Sequence, residues 1–138
     1  MSMDNFKRRL SLLPPWSLTA IGLLVILWMT LAPHPLGEEE LPLFPGADKI
    51  AHAVMFGGFS LLILLDETRR NAWKPISRAK IWGAFATSAL LGLIVEICQL
   101  VMELGRSFEW LDFVADSTGA LLACLLWTWG AHKLSSDR

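Results

Sequence analysis

Apolar residues along the chain fall into four runs, 16–32, 50–65, 81–102 and 113–131, separated by short polar stretches. A helix crossing the hydrocarbon of a bilayer needs about 20 apolar residues, within a range of about 17–25. Three runs reach that range. The second is shorter and is read as starting a turn earlier, near Asp48, with its polar residues facing protein or water. All seven prolines (14, 15, 33, 35, 42, 45 and 75) lie outside the runs, where they break no helical hydrogen-bond ladder. Lipid offers no partner to a bare backbone amide, so runs of this length are predicted to be helices. The expectation is an all-α bundle of four transmembrane helices, about 16–32, 48–65, 81–102 and 113–131, within a single integral membrane domain over residues 1–138.

Composition agrees. The chain is 54% apolar and 18% charged, against about 25% charged in soluble domains, which excludes a water-soluble globule, a disordered chain and a disulfide-stapled scaffold. Cys98 and Cys124 both sit inside apolar runs and read as small buried hydrophobes. The net charge of −1 hides a strong asymmetry. Of twelve Lys and Arg, ten lie before the first run, between the second and third, or in the tail; only Lys49 and Arg106 lie on the other side. By the positive-inside bias both termini and the 66–80 loop are expected in the cytoplasm. Trp16, Trp82, Trp110, Trp127 and Trp129 fall near the predicted span ends, as interfacial anchors do. The basic start (Lys7, Arg8, Arg9) and the run after it resemble a signal peptide, but no small-x-small cleavage site follows, so an uncleaved first span is expected.

Polar residues interrupt the apolar runs at one end. The second helix opens with Asp48, Lys49 and His52; the third carries Glu96, Gln99 and Glu103 late; Arg106 lies in the following turn; the fourth descends through Asp112, Asp116 and Gly119. At 1.5 Å per residue, Glu96 lies about 10 Å below Glu103, and His52 and Asp116 each about 6 Å below Asp48 and Asp112. All of these fall toward the outer side. The four-residue spacings Asp48–His52 and Asp112–Asp116 put each pair on one helix face. Ala84, Ser88, Gly92 and Glu96 form an i+4 row in which small residues lead to a carboxylate. Small residues let helices approach closely in lipid, so this row should face a neighbour and direct Glu96 into the bundle; Gly119 with Ala123, and Gly57-Gly58, suggest similar contacts. Ionised side chains inside the membrane cost roughly 2.5–3.5 kcal/mol each on the insertion scale, so these groups must be paired, hydrated or neutralised. Lys49 and Arg106 are the basic partners on that side, and His52 could add a third positive charge. Glu38–Glu40, Glu103 and Glu109 read as solvated charges, and His34 and His132 as interface residues.

The segment Phe44-Pro45-Gly46-Ala47-Asp48-Lys49-Ile50-Ala51-His52 with Phe56, then Gly92, Glu96 and Gln99, then Arg106, then Asp112-x-x-x-Asp116-x-x-Gly119 resembles the VanZ-like membrane proteins over about residues 42–126. One departure is Asp116, where that pattern usually has Asn. The resemblance implies a small polytopic protein of the bacterial cytoplasmic membrane, in a family whose founding member is associated with tolerance to the glycopeptide teicoplanin.

Four readings suit the polar residues: a ligand site, an acid–base enzyme, a packing network and a transporter. In the first, Asp48, Lys49, His52, Glu96, Gln99, Arg106, Asp112 and Asp116 form a ligand site near the outer leaflet. Lys49 and Arg106 hold the phosphate of an anionic lipid or lipid-linked cell-wall intermediate, and the acids take bonds from sugar or amide groups. In the second, His52, Glu96, Asp112 and Asp116 are catalytic acid–base candidates acting on a lipid phosphate. No His-x-x-x-His or cysteine cluster is present, so no metal ligands and no cofactor are assigned, and a divalent cation is a lesser option. In the third, the polar residues are a network that only fixes helix packing. Its weakness is that such a network has no reason to keep to one side of the membrane. A transporter with Glu96 as proton carrier would need oligomers; a homo-oligomer is compatible with the pattern, and nothing in it calls for nucleic acid.

Overall fold

A computed structural model describes residues 3–32, 44–102 and 109–136. Its elements are helices α1 (Met3–Ser11), α2 (Ser17–Leu31), α3 (Ala47–Arg70), α4 (Arg78–Met102) and α5 (Trp110–Ser136), and the described residues contain no strand. The all-α expectation holds. Three helices, α3, α4 and α5, are long and apolar enough to cross a membrane. The first expected span is the apolar helix α2, whose 15 residues reach about 22 Å, short of a hydrocarbon core of about 30 Å.

Helix limits depart from the sequence-based expectation: α4 starts at Arg78 rather than at 81, and α5 covers Trp110–Ser136 rather than 113–131. Two further departures bring in new residues. Residues 3–11, assigned no element, form α1, with Asp4 in its first turn and Arg8 and Arg9 in its last, charges that suit the helix dipole at both ends. The helix expected to stop at 65 runs on to Arg70. Its last turn is polar and breaks the apolar run, but it carries no helix breaker, and its side chains find partners described below.

Helix α3 packs against each of the other four helices and has its broadest contact with α5. Glycine sets that approach. A Cβ on Gly119 would lie within 2.8 Å of Ala53 Cα, and one on Gly57 would lie 3.0 Å from the Gly119 carbonyl oxygen. Gly58, by contrast, faces open space. The row Ala84, Ser88, Gly92 and Glu96 is buried along its length, as its spacing predicts. Ile26, Phe56, Phe59, Ile63, Leu64, Ile81, Val95 and Cys124 form the core beneath the polar residues. Cys98 and Cys124 are both free. Large apolar side chains such as Leu24, Trp28, Val54, Leu90, Leu100, Leu122 and Trp129 stay exposed, an apolar surface suited to lipid.

Candidate functional site

The N-termini of α3 and α5 and the C-terminal part of α4 meet at one end of the bundle, and four of the predicted polar residues converge there. His52 Nδ1 lies 2.9 Å from Asp116 Oδ1, and His52 Nε2 lies 4.0 Å from Asp112 Oδ2. The second distance is too long for a hydrogen bond. Glu96 faces them from α4: ligand atoms of His52, Glu96 and Asp112 all lie within 4.8 Å of one another. Glu96 and Asp116 are fully buried, and His52 and Asp112 nearly so.

Local sequence explains the convergence. The Asp116 carboxylate occupies the space over Gly92, where a Cβ would lie 2.8 Å from Asp116 Oδ2. Phe56, one turn below His52, stacks parallel to the imidazole. The Glu109 backbone N–H, at the start of α5, donates to Glu96 Oε2 at 2.9 Å. That leaves Glu96 Oε1 and Asp116 Oδ2 buried without a hydrogen-bond partner among the described residues.

Lys49 lies over this cluster and donates to three carboxylates: Asp48 at 2.6 Å, Glu109 at 2.7 Å and Asp112 at 2.7 Å. Its ammonium has three donors, and all are used. Glu109, expected to be a solvated charge, is thus tied into this layer while remaining half exposed. Gln99 is buried, but its amide donates to the Thr30 carbonyl at 3.0 Å, tying α4 to the end of α2. Arg106, Glu103, His34 and Glu38–Glu40 lie outside the described residues, as does the side chain of His132. Among the described residues the site therefore sets five carboxylates against one ammonium, Lys49.

Sequence reasoning missed a second buried polar group at the opposite end of the bundle. Asp66 Oδ2 accepts from both the backbone N–H and the hydroxyl of Thr19, each at 2.8 Å, and Oδ1 forms an ion pair with Arg69 at 3.3 Å. Arg69 donates to the carbonyls of Leu10, Leu13 and Pro14. Polar burial is therefore not confined to one side, contrary to the expectation above. Asp66 and Arg69 fell into the segment read as a loop; their i,i+3 spacing on a continued helix was the available signal. A cavity of about 310 Å³ at this end, lined by Arg78, Ile81, Trp82, Cys124, Leu125, Thr128 and Trp129, includes none of the predicted site residues.

Three long apolar helices around a buried His–carboxylate cluster define a polytopic α-helical membrane protein. The chain matches the VanZ/LLP1 family over residues 2–131 and belongs to it. No curated protein and no solved structure gives a significant match.

Proposed function

We propose that the chain spans the bacterial cytoplasmic membrane four times, with both termini inside. In this reading the His52–Glu96–Asp112–Asp116 cluster, near the outer leaflet, binds the headgroup of an anionic lipid or lipid-linked cell-wall intermediate and so alters susceptibility to teicoplanin-type glycopeptides. The observation that carries this is the pair of buried acceptors, Glu96 Oε1 and Asp116 Oδ2, with no hydrogen-bond partner among the described residues. Such groups are costly to leave unmade, and a headgroup rich in hydroxyl, amide or ammonium donors satisfies them. Family membership and the ten-to-two distribution of basic residues support the setting. Direct capture of phosphate by Lys49 has less support, because its donors are committed to three carboxylates.

Native mass spectrometry of the gently solubilised protein tests this. Wild type should retain a lipid species, and Glu96→Met, which removes both acceptor oxygens, should deplete it at least about tenfold, the equivalent of about 1.4 kcal/mol. In a susceptible host, expression of wild type but not Glu96→Met should shift the teicoplanin inhibitory concentration. A folded Glu96→Met protein carrying the same lipid would overturn the proposal.

A second reading is acid–base chemistry at a lipid phosphate, favoured by the 2.9 Å contact of Asp116 with His52 Nδ1. That contact leaves Nε2 turned to the cluster, as an oriented general base requires. It predicts phosphate release from the bound lipid that is lost in His52→Gln while lipid retention persists.

A further inference from the structure

We infer that His52, Glu96 and Asp112 form a site for one divalent transition-metal ion, zinc or manganese in type, with Asp116 as the residue that positions the imidazole. The three ligand atoms lie within 4.8 Å of one another, on three different helices. The 4.0 Å between His52 Nε2 and Asp112 Oδ2 is too long for a hydrogen bond, and the two atoms would close by about half an ångström onto a four-coordinate ion with bonds of about 2.0–2.2 Å. Metal-binding histidines almost always donate their second ring nitrogen to a carboxylate or carbonyl, which fixes the tautomer and aims the free nitrogen at the ion. Asp116 Oδ1, 2.9 Å from Nδ1 and fully buried, has that relation to His52.

Charge points the same way. Glu96 is fully buried and its Oε1 has no hydrogen-bond partner among the described residues, while Lys49 is engaged with Asp112 through the other oxygen, Oδ1. Asp112 can thus serve both cations, one on each oxygen. A divalent ion offsets carboxylate charge that Lys49, the one ammonium at the site among the described residues, leaves uncompensated. One imidazole with two carboxylates suits first-row transition ions better than magnesium or calcium, which prefer all-oxygen shells.

Three protein ligands also leave coordination positions open. An ion there would accept headgroup phosphate oxygens and so bring an anion into an acidic pocket. This bridging role rests on the headgroup reading above; the ion site itself does not.

The test uses the full chain in detergent, stripped with chelator and then given Zn²⁺, Mn²⁺ or Co²⁺ alone. Equilibrium dialysis with elemental analysis should find about one ion per chain, and Co²⁺ should give the visible absorption of a low-symmetry nitrogen–oxygen site. Glu96→Gln and His52→Gln should each weaken binding at least about tenfold, and Asp116→Asn by about 10–100-fold. No stoichiometric ion and no cobalt spectrum in wild type would overturn the site whether or not the variants fold. So would loss on Glu109→Gln with Glu96→Gln unaffected, which assigns the ion to the exposed Asp48–Glu109–Asp112 group. Ion binding without retained lipid leaves this inference standing and removes the headgroup reading; lipid retained by a protein that binds no ion does the reverse.

Discussion

Gly119 on α5 lies directly against the backbone of Ala53 on α3, with no room for a Cβ between them. Ala53 follows His52, and Gly119 lies three residues after Asp116. The closest crossing of the two helices is thus what holds the imidazole and the carboxylate at 2.9 Å. Helix separation and site geometry are the same variable here.

Gly119→Ala should therefore do more than fill a space. The new methyl meets main chain, which cannot rotate away, and overpacking of this kind costs about 1–3 kcal/mol or more. The melting temperature in detergent should fall, and whatever the cluster binds should be lost with it. Gly58→Ala is the control: it faces open space on α3, so the change should be neutral or stabilising by up to about 1 kcal/mol.

At the opposite end, Trp16 stands at the N-cap of α2, with φ 63°, and offers no side-chain cap. Asp66 supplies the cap from another helix through Thr19. Asp66→Ala should cost about 3–5 kcal/mol, because it removes both bonds to Thr19 and leaves the buried Arg69 guanidinium without its counter-charge. Arg69→Met should cost about 3–5 kcal/mol, because it leaves Asp66 an uncompensated buried charge. Hydrogen exchange should show residues 3–16 losing protection in Arg69→Met, since the guanidinium holds the Leu10, Leu13 and Pro14 carbonyls.

Ser60 and Ser88 share a 2.8 Å hydrogen bond between α3 and α4, and both are fully buried. Either single change to Ala leaves a lone hydroxyl and should lower stability, with a coupling between the two of about 0.6–1.7 kcal/mol. The double change should cost less than the sum of the two. Equal and additive losses would show that the bond contributes no coupling.

The proposed four crossings are tested by labelling. In a background with Cys98 and Cys124 replaced by Ala, Glu109→Cys should react with a membrane-impermeant maleimide added to intact spheroplasts. Asn71→Cys should react only after lysis. The opposite pattern would invert the orientation and place the cluster at the inner leaflet.

Much of this was legible along the chain. Apolar run length gave the three long helices, and the i+4 row from Ala84 to Glu96 gave the buried face of α4, because helical periodicity is a local property. The same row, with the His52 and Asp116 spacings, was enough to predict their meeting. Two things were not legible. Reading Asp66 and Arg69 as loop followed from treating a break in hydrophobicity as a break in helix, whereas their partners Thr19 and Leu10 lie 47 and 59 positions away. Along the chain Lys49 reads as a free base for an anion, whereas in the fold three carboxylates occupy it.

The sequence by itself thus determined the four apolar helical segments, the buried face of α4 and which residues carry charge, since each depends on composition or on neighbours three or four positions away. Tertiary structure alone decided which acid meets which base. That depends on the rotation and offset of one helix against another, set here by glycine contacts such as Gly119 on Ala53, between residues far apart in the chain.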